Sequence, residues 1–182
     1  APSASTTVAM AIGDSLAAVS SEVRGLSQED FAFNHPLGML GKQLNTTVSD
    51  LMIPVSGLNS LDPTSPFKQL IESITKDGIG CGYVVNNRID NHLVGIITDG
   101  DLRRALENNK ASNWSKLIAS DLMISDPITL DKNKLASEAL KLMEQNAKKK
   151  AISIIPIVKI DNGFKKIIGI LRLHDLIKEG IK

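Results

Sequence analysis

Three clusters in this chain carry residue types that could do chemistry. The first is Thr98-Asp99-Gly100-Asp101, where an apolar, strand-like run meets a helical pattern. A threonine hydroxyl at a strand end can donate to a phosphate or to ribose. An aspartate on the first helical turn can accept from two ribose hydroxyls, and its charge suits the positive helix end. The same Thr98-x-x-Asp101 spacing is also a capping box, which needs no ligand. The second cluster is Arg172-Leu173-His174-Asp175. Arg172 offers a planar fork to a phosphate or carboxylate, or it turns that fork on Asp175 and fills the space itself. The third is Asn34-His35-Pro36. Proline is favoured at the first helical position, so His35 is expected at or beside the positive end of a following helix. That end disfavours the imidazolium and leaves a neutral ring able to take or give a proton. The alternative is that Asn34 or His35 merely caps that helix.

Other reactive residue types have plainer readings. Asp14-Ser15 sits on a helical pattern with no base placed near it. His35, His92 and His174 lack metal-ligand spacing, so no metal site is expected. Cys81, between Gly80 and Gly82, reads as a small core residue. Lys148-Lys149-Lys150 sits at a helix end, where positive charge is favourable.

The elements that must position these clusters are written twice. Ser49-Asp50-Leu51-Met52-Ile53 recurs as Ser120-Asp121-Leu122-Met123-Ile124. Val94-Gly95-Ile96-Ile97-Thr98-Asp99-Gly100-Asp101-Leu102 is echoed by Ile168-Gly169-Ile170-Leu171-Arg172-Leu173-His174-Asp175-Leu176. Matches in the same order at nearly the same offset imply two copies of one unit. Each copy opens with a short element and a β-type segment. A helix follows, Phe67 to Thr75 in the first copy (stripe Leu70, Ile71, Ile74) and Leu135 to Asn146 in the second (stripe Leu135, Ala139, Leu142, Met143). Two strands come next: Cys81–Val85 and Leu93–Ile97, then Ile152–Ile160 and Lys166–Leu171. Closing helices run Asp99–Glu107 and His174–Glu179. The order is β-α-β-β-α, an α/β (α+β) class. Strands with successive apolar residues are expected to be covered on both faces. Asp161-Asn162-Gly163 is a hairpin signal, and Pro156 marks an edge or bulged strand. The closing helices carry apolar residues on more than one face (Leu102, Ala105, Leu106; Leu173, Leu176, Ile177, Ile181), an expected self-association surface.

The first 47 residues do not match the repeat. Thr6 to Arg24 reads as a helix with Val8, Ile12, Leu16, Val19 and Val23 on one stripe, Ser5 or Thr6 as cap and Gly25 as left-handed stop. Ser27 to Asp30 resembles a capping box. Domains are expected at 1–47, 48–117 (first copy and linker) and 118–182 (second copy). The 182 residues are 42% apolar, enough for a core without staples. The one cysteine fits a reducing compartment. No apolar run reaches a membrane span and no signal-peptide pattern opens the chain, so a cytoplasmic fragment of a larger protein is expected. Residues 119–182 hold 12 Lys and Arg against 8 Asp and Glu, and the first 118 hold 9 against 12. That imbalance is too mild for a nucleic-acid face, and 3% aromatics give bases little to stack on.

These residues carry a family resemblance. The β-α-β-β-α repeat, with Gly95, Thr98 and Asp101 filling the pattern Gly-apolar-x-Ser/Thr-x-x-Asp, resembles a cystathionine-β-synthase (CBS) domain, and two in tandem resemble a Bateman module. Ser3-Ala4-Ser5-Thr6-Thr7, Gly13-Asp14-Ser15-Leu16-Ala17, Glu29-Asp30-Phe31-Ala32 and Asn34-His35-Pro36-Leu37-Gly38 resemble the helical tail of a sugar isomerase (SIS) domain. The combination resembles the D-arabinose 5-phosphate isomerases. These interconvert ribulose 5-phosphate and arabinose 5-phosphate on the route to the lipopolysaccharide sugar Kdo. Most of the SIS domain, with its phosphate loop and catalytic carboxylates, has no counterpart in this sequence.

The resemblance implies several further expectations. His35 is a catalytic residue of the parent isomerase, serving a neighbouring subunit. Thr98, Asp101, Arg172, His174 and Asp175 are ligand-binding. No cofactor is required, and the regulatory ligand is a nucleotide or CMP-Kdo. The CBS pair dimerises, within a tetramer in the parent, and the parent's substrate is a sugar phosphate. Nucleic-acid and membrane partners are not expected, and this fragment alone is expected to be inactive. Two alternatives stay open: a purely structural dimerisation module, and a stand-alone adenosine-nucleotide sensor.

Overall fold

The structure, a computed structural model, describes residues 3–35, 38–86, 91–146 and 152–181. The chain divides into two compact units, Ala1–Asn45 and Thr46–Lys182.

The first unit is helical: α1 (Ser3–Val23), α2 (Gln28–Asn34) and α3 (Met39–Asn45). α1 starts earlier than expected, and the Thr6 and Thr7 hydroxyls donate to the Ser3 carbonyl rather than capping free amides. Gly25 takes the left-handed conformation at φ +65°. The apolar stripe of α1 is exposed, from Ile12 at 56% to Val23 at 81%. The Ser27–Asp30 capping box forms at the start of α2. His35 is placed otherwise than expected. It ends α2, its amide donating to the Phe31 carbonyl at 3.0 Å, and α3 begins only at Met39. The residue before a proline is driven out of the helical region, and α2 accordingly ends at His35. Pro36 itself lies outside the described residues, as do Lys148, Lys149 and Lys150.

The second unit holds both copies. In the first are α4 (Val48–Leu51), β1 (Ile53–Pro54), β2 (Ser60–Leu61), α5 (Phe67–Asp77), β3 (Cys81–Val85), β4 (Leu93–Thr98) and α6 (Asp99–Asn108). In the second are α7 (Ala119–Leu122), β5 (Ile124–Ser125), α8 (Ala136–Asn146), β6 (Ile154–Asp161), β7 (Phe164–Arg172) and α9 (Leu173–Glu179). The sheets run β2-β3-β4-β5 and β1-β7-β6. Each copy therefore lends its opening strand to the other. β1 pairs antiparallel with β7 (Ile53 with Ile170), and β5 with β4 (Ile124 with Ile96). The backbone repeats the exchange. Val48 and Ser49 amides donate to Lys134 and Lys132 carbonyls, and Ala119 and Ser120 amides to Ser65 and Pro63, all at 2.8–2.9 Å.

Packing follows the exchange. Val48 is fully buried in the second copy's core with Met143, Ile155 and Leu171, and Ala119 in the first copy's core with Leu70, Ile74 and Ile97. A third cluster joins the two sheets through Cys81, Tyr83, Val85, Ile96, Ile167 and Ile170. β3 is buried throughout because alternate residues face the α5 side and the opposite sheet. Cys81 is fully buried, as expected.

The hairpin at Asn162-Gly163 forms, both residues at positive φ. β6, which contains Pro156, lies at the end of its named sheet and has a register shift at Ile157/Val158. Two expectations need correction. Ile71 is 41% exposed while Phe67 takes the inward position on α5. Ala105, Leu176 and Ile181, expected on a self-association face, are buried within the chain's own core, leaving Ile177 exposed at 61%. Helix periodicity marks an apolar stripe but does not say which partner covers it.

The two glycines of the repeat are seats for the exchanged segments. A Cβ on Gly95 would lie 2.6 Å from Met123 Sδ and 3.0 Å from its Cβ. One on Gly169 would meet Met52 Sδ at 2.6 Å and the Ile53 carbonyl at 3.2 Å. The crowding reaches the Cβ of Met123 in one case and the Ile53 backbone in the other, where flexibility gives little relief. Gly169→Ala is expected to lower stability by about 1–3 kcal/mol, and adding Met52→Ala to recover part of that loss, a non-additivity read by denaturant unfolding.

Carboxylates at helix starts give a second expectation. The Thr47 hydroxyl and amide donate to Asp50 at 2.7 and 2.8 Å and hold its carboxyl below the ordinary 3.8. The Leu135 amide and Lys134 hold Glu138 below 4.5. Lowered native pKa values stabilise the fold fully above those ordinary values and are lost as pH falls through the native ones. Thermal melts should therefore fall below about pH 4.5, less steeply in Asp50→Asn.

Candidate functional site

The two copies form a cleft of about 870 Å³ between the β4–α6 and β7–α9 junctions. Equivalent backbone turns line its two sides. The Asp99 amide donates to the Gly80 carbonyl at 3.1 Å, and the Leu173 amide to Ser153 at 2.8 Å. Gly80 can hold φ +78° because it has no side chain. The apolar lining comes from Ile79, Ile96, Ile152 and Ile154, with Ile124, Pro127 and Ile128 from the exchanged segment. Polar groups are few: Thr98, Asp99, Arg104, Ser153, Arg172 and His174.

All five ligand-site residues singled out in the sequence stand around this cleft, four of them as two pairs and His174 in its lining. Thr98 and Asp101 close the capping box of α6. The Thr98 amide and hydroxyl donate to Asp101 Oδ2 at 2.9 and 2.6 Å, and the Asp101 amide donates back to the hydroxyl at 3.3 Å. Arg104 donates to Asp101 Oδ1. Asp101 is only 8% exposed and stands behind the lining, whereas Thr98 and Arg104 face it. Burial pushes the Asp101 carboxyl up, but the Thr98 bonds and Arg104 outweigh it and hold the group below the ordinary range. It is an anion with both oxygens engaged.

On the other side Arg172 forks onto Asp175, Nε to Oδ2 at 2.7 Å and Nη2 to Oδ1 at 2.8 Å. This pairing holds Asp175 below the ordinary carboxylate range and raises Arg172. Arg172 and His174 line the cleft and Asp175 does not. Each guanidinium is thus oriented by a carboxylate behind it and keeps N–H groups toward the cleft. In the core between the sheets, burial above all, and then the Asp99 charge, push the Cys81 thiol up to about 12, with Arg172 pulling the other way. That thiol is inert.

His35 lies in the other unit, its ring 4.6 Å from that of Phe31. Sequence reasoning passed over Arg104, Asp99 and the exchanged Ile124–Ile128 segment. Asp99 was visible in the same Thr-Asp-Gly-Asp run, but the Thr-x-x-Asp spacing drew attention to Asp101. Among the described residues no three His, Cys, Asp or Glu side chains come together as metal ligands would. Nor is any helix there long and apolar enough to cross a membrane.

Comparison with known proteins places this geometry. The chain is 36% identical to the arabinose 5-phosphate isomerase KdsD of Francisella tularensis over 98% of its own length and 51% of that protein. It is 37% identical to KdsD of Pseudomonas aeruginosa over 100% and 52%, and 37% to KpsF of Escherichia coli over 96% and 50%. The chain spans about half the length of the curated relatives it matches. Among solved structures it is similar to CBSX2 in complex with AMP (TM-score 0.59, 21% identity, 74% of this chain and 95% of that one). It is also similar to the CBS domain of a bacterial CNNM/CorC family Mg2+ transporter in complex with ATP (TM-score 0.62, 17% identity, 78% and 93%). The CBS domain family matches residues 48–108 and 119–182, both written copies, and the chain belongs to that family as a tandem pair.

Proposed function

We propose that this chain is the regulatory and oligomerising CBS pair of a D-arabinose 5-phosphate isomerase, and that its cleft binds a nucleotide or a nucleotide-sugar such as CMP-Kdo. The observation that carries the reading is the extent of the similarity. It runs over 96–100% of the chain in the isomerases, including the helical unit that the CBS family does not match. The cleft chemistry supports the ligand. Isoleucines and Pro127 suit a base, while Arg104, Arg172 and His174 suit a phosphate or a sugar-acid carboxylate. The AMP and ATP bound to structural neighbours point to the same ligand class.

In the longer enzyme, α1 is proposed to lay its exposed stripe against the SIS sheet, and His35 to act as acid or base toward a sugar phosphate in a neighbouring subunit. Self-association through the CBS pair, a tetrameric parent and a cytoplasmic setting belong to the same proposal.

Thermal melts with AMP, ATP, CMP and CMP-Kdo test the ligand. A binder at 100 times its dissociation constant should add about 2.7 kcal/mol of stability. Flat melts with all four would leave the cleft as architecture and favour a purely structural pair.

Isomerase assays test the parent reading. The 182-residue chain should not turn over ribulose 5-phosphate. In the longer enzyme His35→Ala should lower the rate by about 100-fold or more, as expected for a lost acid or base. An unchanged rate would confine His35 to ending α2.

A further inference from the structure

We propose that the open edge of β6 is the surface through which two of these chains associate, β6 pairing antiparallel with β6 of a second chain about a two-fold axis at Ile160. The inference rests on the self-association reading above and names its contact.

The sheets offer few other edges. Among the described residues the other edge strands, β1, β2 and β5, are two residues long each, whereas β6 has eight. Short edge strands give an incoming strand little to pair with. The helix residues Ala105, Leu176 and Ile181 are already spent on the chain's own core. Part of β6 is covered from within the chain as well. The Leu130 amide donates to the Pro156 carbonyl at 3.2 Å, and the Val158 amide to the Leu130 carbonyl at 2.9 Å. These β6 groups face away from β7. Backbone groups alternate sides along a strand, and the extra residue of the register shift, Ile168, lies on β7, so β6 keeps its alternation. The next residue to face outward is therefore Ile160. Among the described residues its N–H and C=O have no backbone partner. Asp161 then turns back to Phe164 and closes the hairpin.

One outward-facing residue at the centre is what a two-fold axis requires. Two antiparallel strands centred on Ile160 exchange both N–H···O bonds between its two copies. The flanking residues then match in charge. Lys159 stands opposite the second chain's Asp161, and Asp161 opposite the second chain's Lys159. Neither side chain has a partner among the described residues. Across β7, Lys159 faces a like charge, Lys166, and an acid arriving at the edge offsets that opposition. Ile160 is 69% exposed, and its neighbour across β7, Lys165, reaches away to Asp126 at 2.6 Å. Residues directly opposite share a face, so the two Ile160 side chains cover each other in one continuous sheet, β1-β7-β6 against β6-β7-β1. Leu130 and the hairpin turn bound the open edge. The ladder is short, and the dimer it holds depends on concentration.

The test is sedimentation of the full chain over a concentration series. The native chain should pass from monomer to dimer as concentration rises. Ile160→Pro removes an outward-facing N–H, one that Pro156 already lacks on the same edge. It should abolish the dimer while the hairpin keeps its own bonds. Lys159→Asp and Asp161→Lys each set like charges opposite one another at two symmetric places. Each should raise the dissociation constant by about 10-fold. Combined in one chain they should restore it to near the native value, a rescue that damage to the fold cannot produce. In the native chain, hydrogen exchange at the Ile160 amide should slow as the dimer fills. A dimer that survives Ile160→Pro, or one indifferent to the charge changes, overturns the edge contact and leaves self-association standing through another surface. A chain that stays monomeric throughout overturns both.

Discussion

The structure depends on one reciprocal contact. Met52 of the first copy lies on Gly169 of the second, and Met123 of the second lies on Gly95 of the first. Around each contact the opening helix and strand of one copy complete the core and sheet of the other. Neither copy has a full sheet on its own. The glycine that opens the pattern Gly95-x-x-Thr98-x-x-Asp101 thus has a cause apart from any ligand: a side chain there would displace a methionine already in place. The identical Ser-Asp-Leu-Met-Ile segments and the two glycines are two sides of one packing requirement.

The exchange also builds the cleft. It carries Ile124, Pro127 and Ile128 onto the edge of the first copy's sheet, next to Ile96. The two copies share a backbone plan around the cavity and differ in what they present to it. Gly80 corresponds to Ser153, Thr98 to Arg172 and Asp99 to Leu173. One side displays a hydroxyl, a carboxylate and the Arg104 guanidinium, and the other the Arg172 guanidinium fork and His174. Behind both, an aspartate fixes an arginine, Asp101 with Arg104 and Asp175 with Arg172. Their effect is on orientation, since a tethered guanidinium loses less freedom when it meets an anion.

Much of this was legible in the sequence because it rests on local chemistry. The duplication, the Asn162-Gly163 turn, the edge strand at Pro156, the capping box at Ser27 and the inert Cys81 all have causes within a few residues. What failed had causes elsewhere. Asn34-His35-Pro36 carried two opposed signals, one for a helix start and one for a helix end, and at His35 the structure ends a helix. The apolar faces of α6 and α9 were visible, but Ala105, Leu176 and Ile181 are covered from within the chain. The strand exchange has no local signature at all. Thr98-x-x-Asp101 fits both a cap and a ligand site, so only the folded arrangement could separate the buried aspartate from the exposed one two residues earlier.

The exchange constrains how the protein is made as well as how it stands. Pairing Ile53 with Ile170 joins the strand that opens the first copy to one that closes the second. During synthesis the first copy leaves the ribosome with β4 paired to β3 but lacking β5, and with Val48 lacking its pocket. Both must wait for the second copy, Val48 for its Leu171 and Leu176. Closing so long a loop late is slow, and an unpaired strand edge left waiting is open to pairing with another chain. The duplicated pair is therefore a single cooperative unit that matures only when its final residues emerge, although its sequence reads as two.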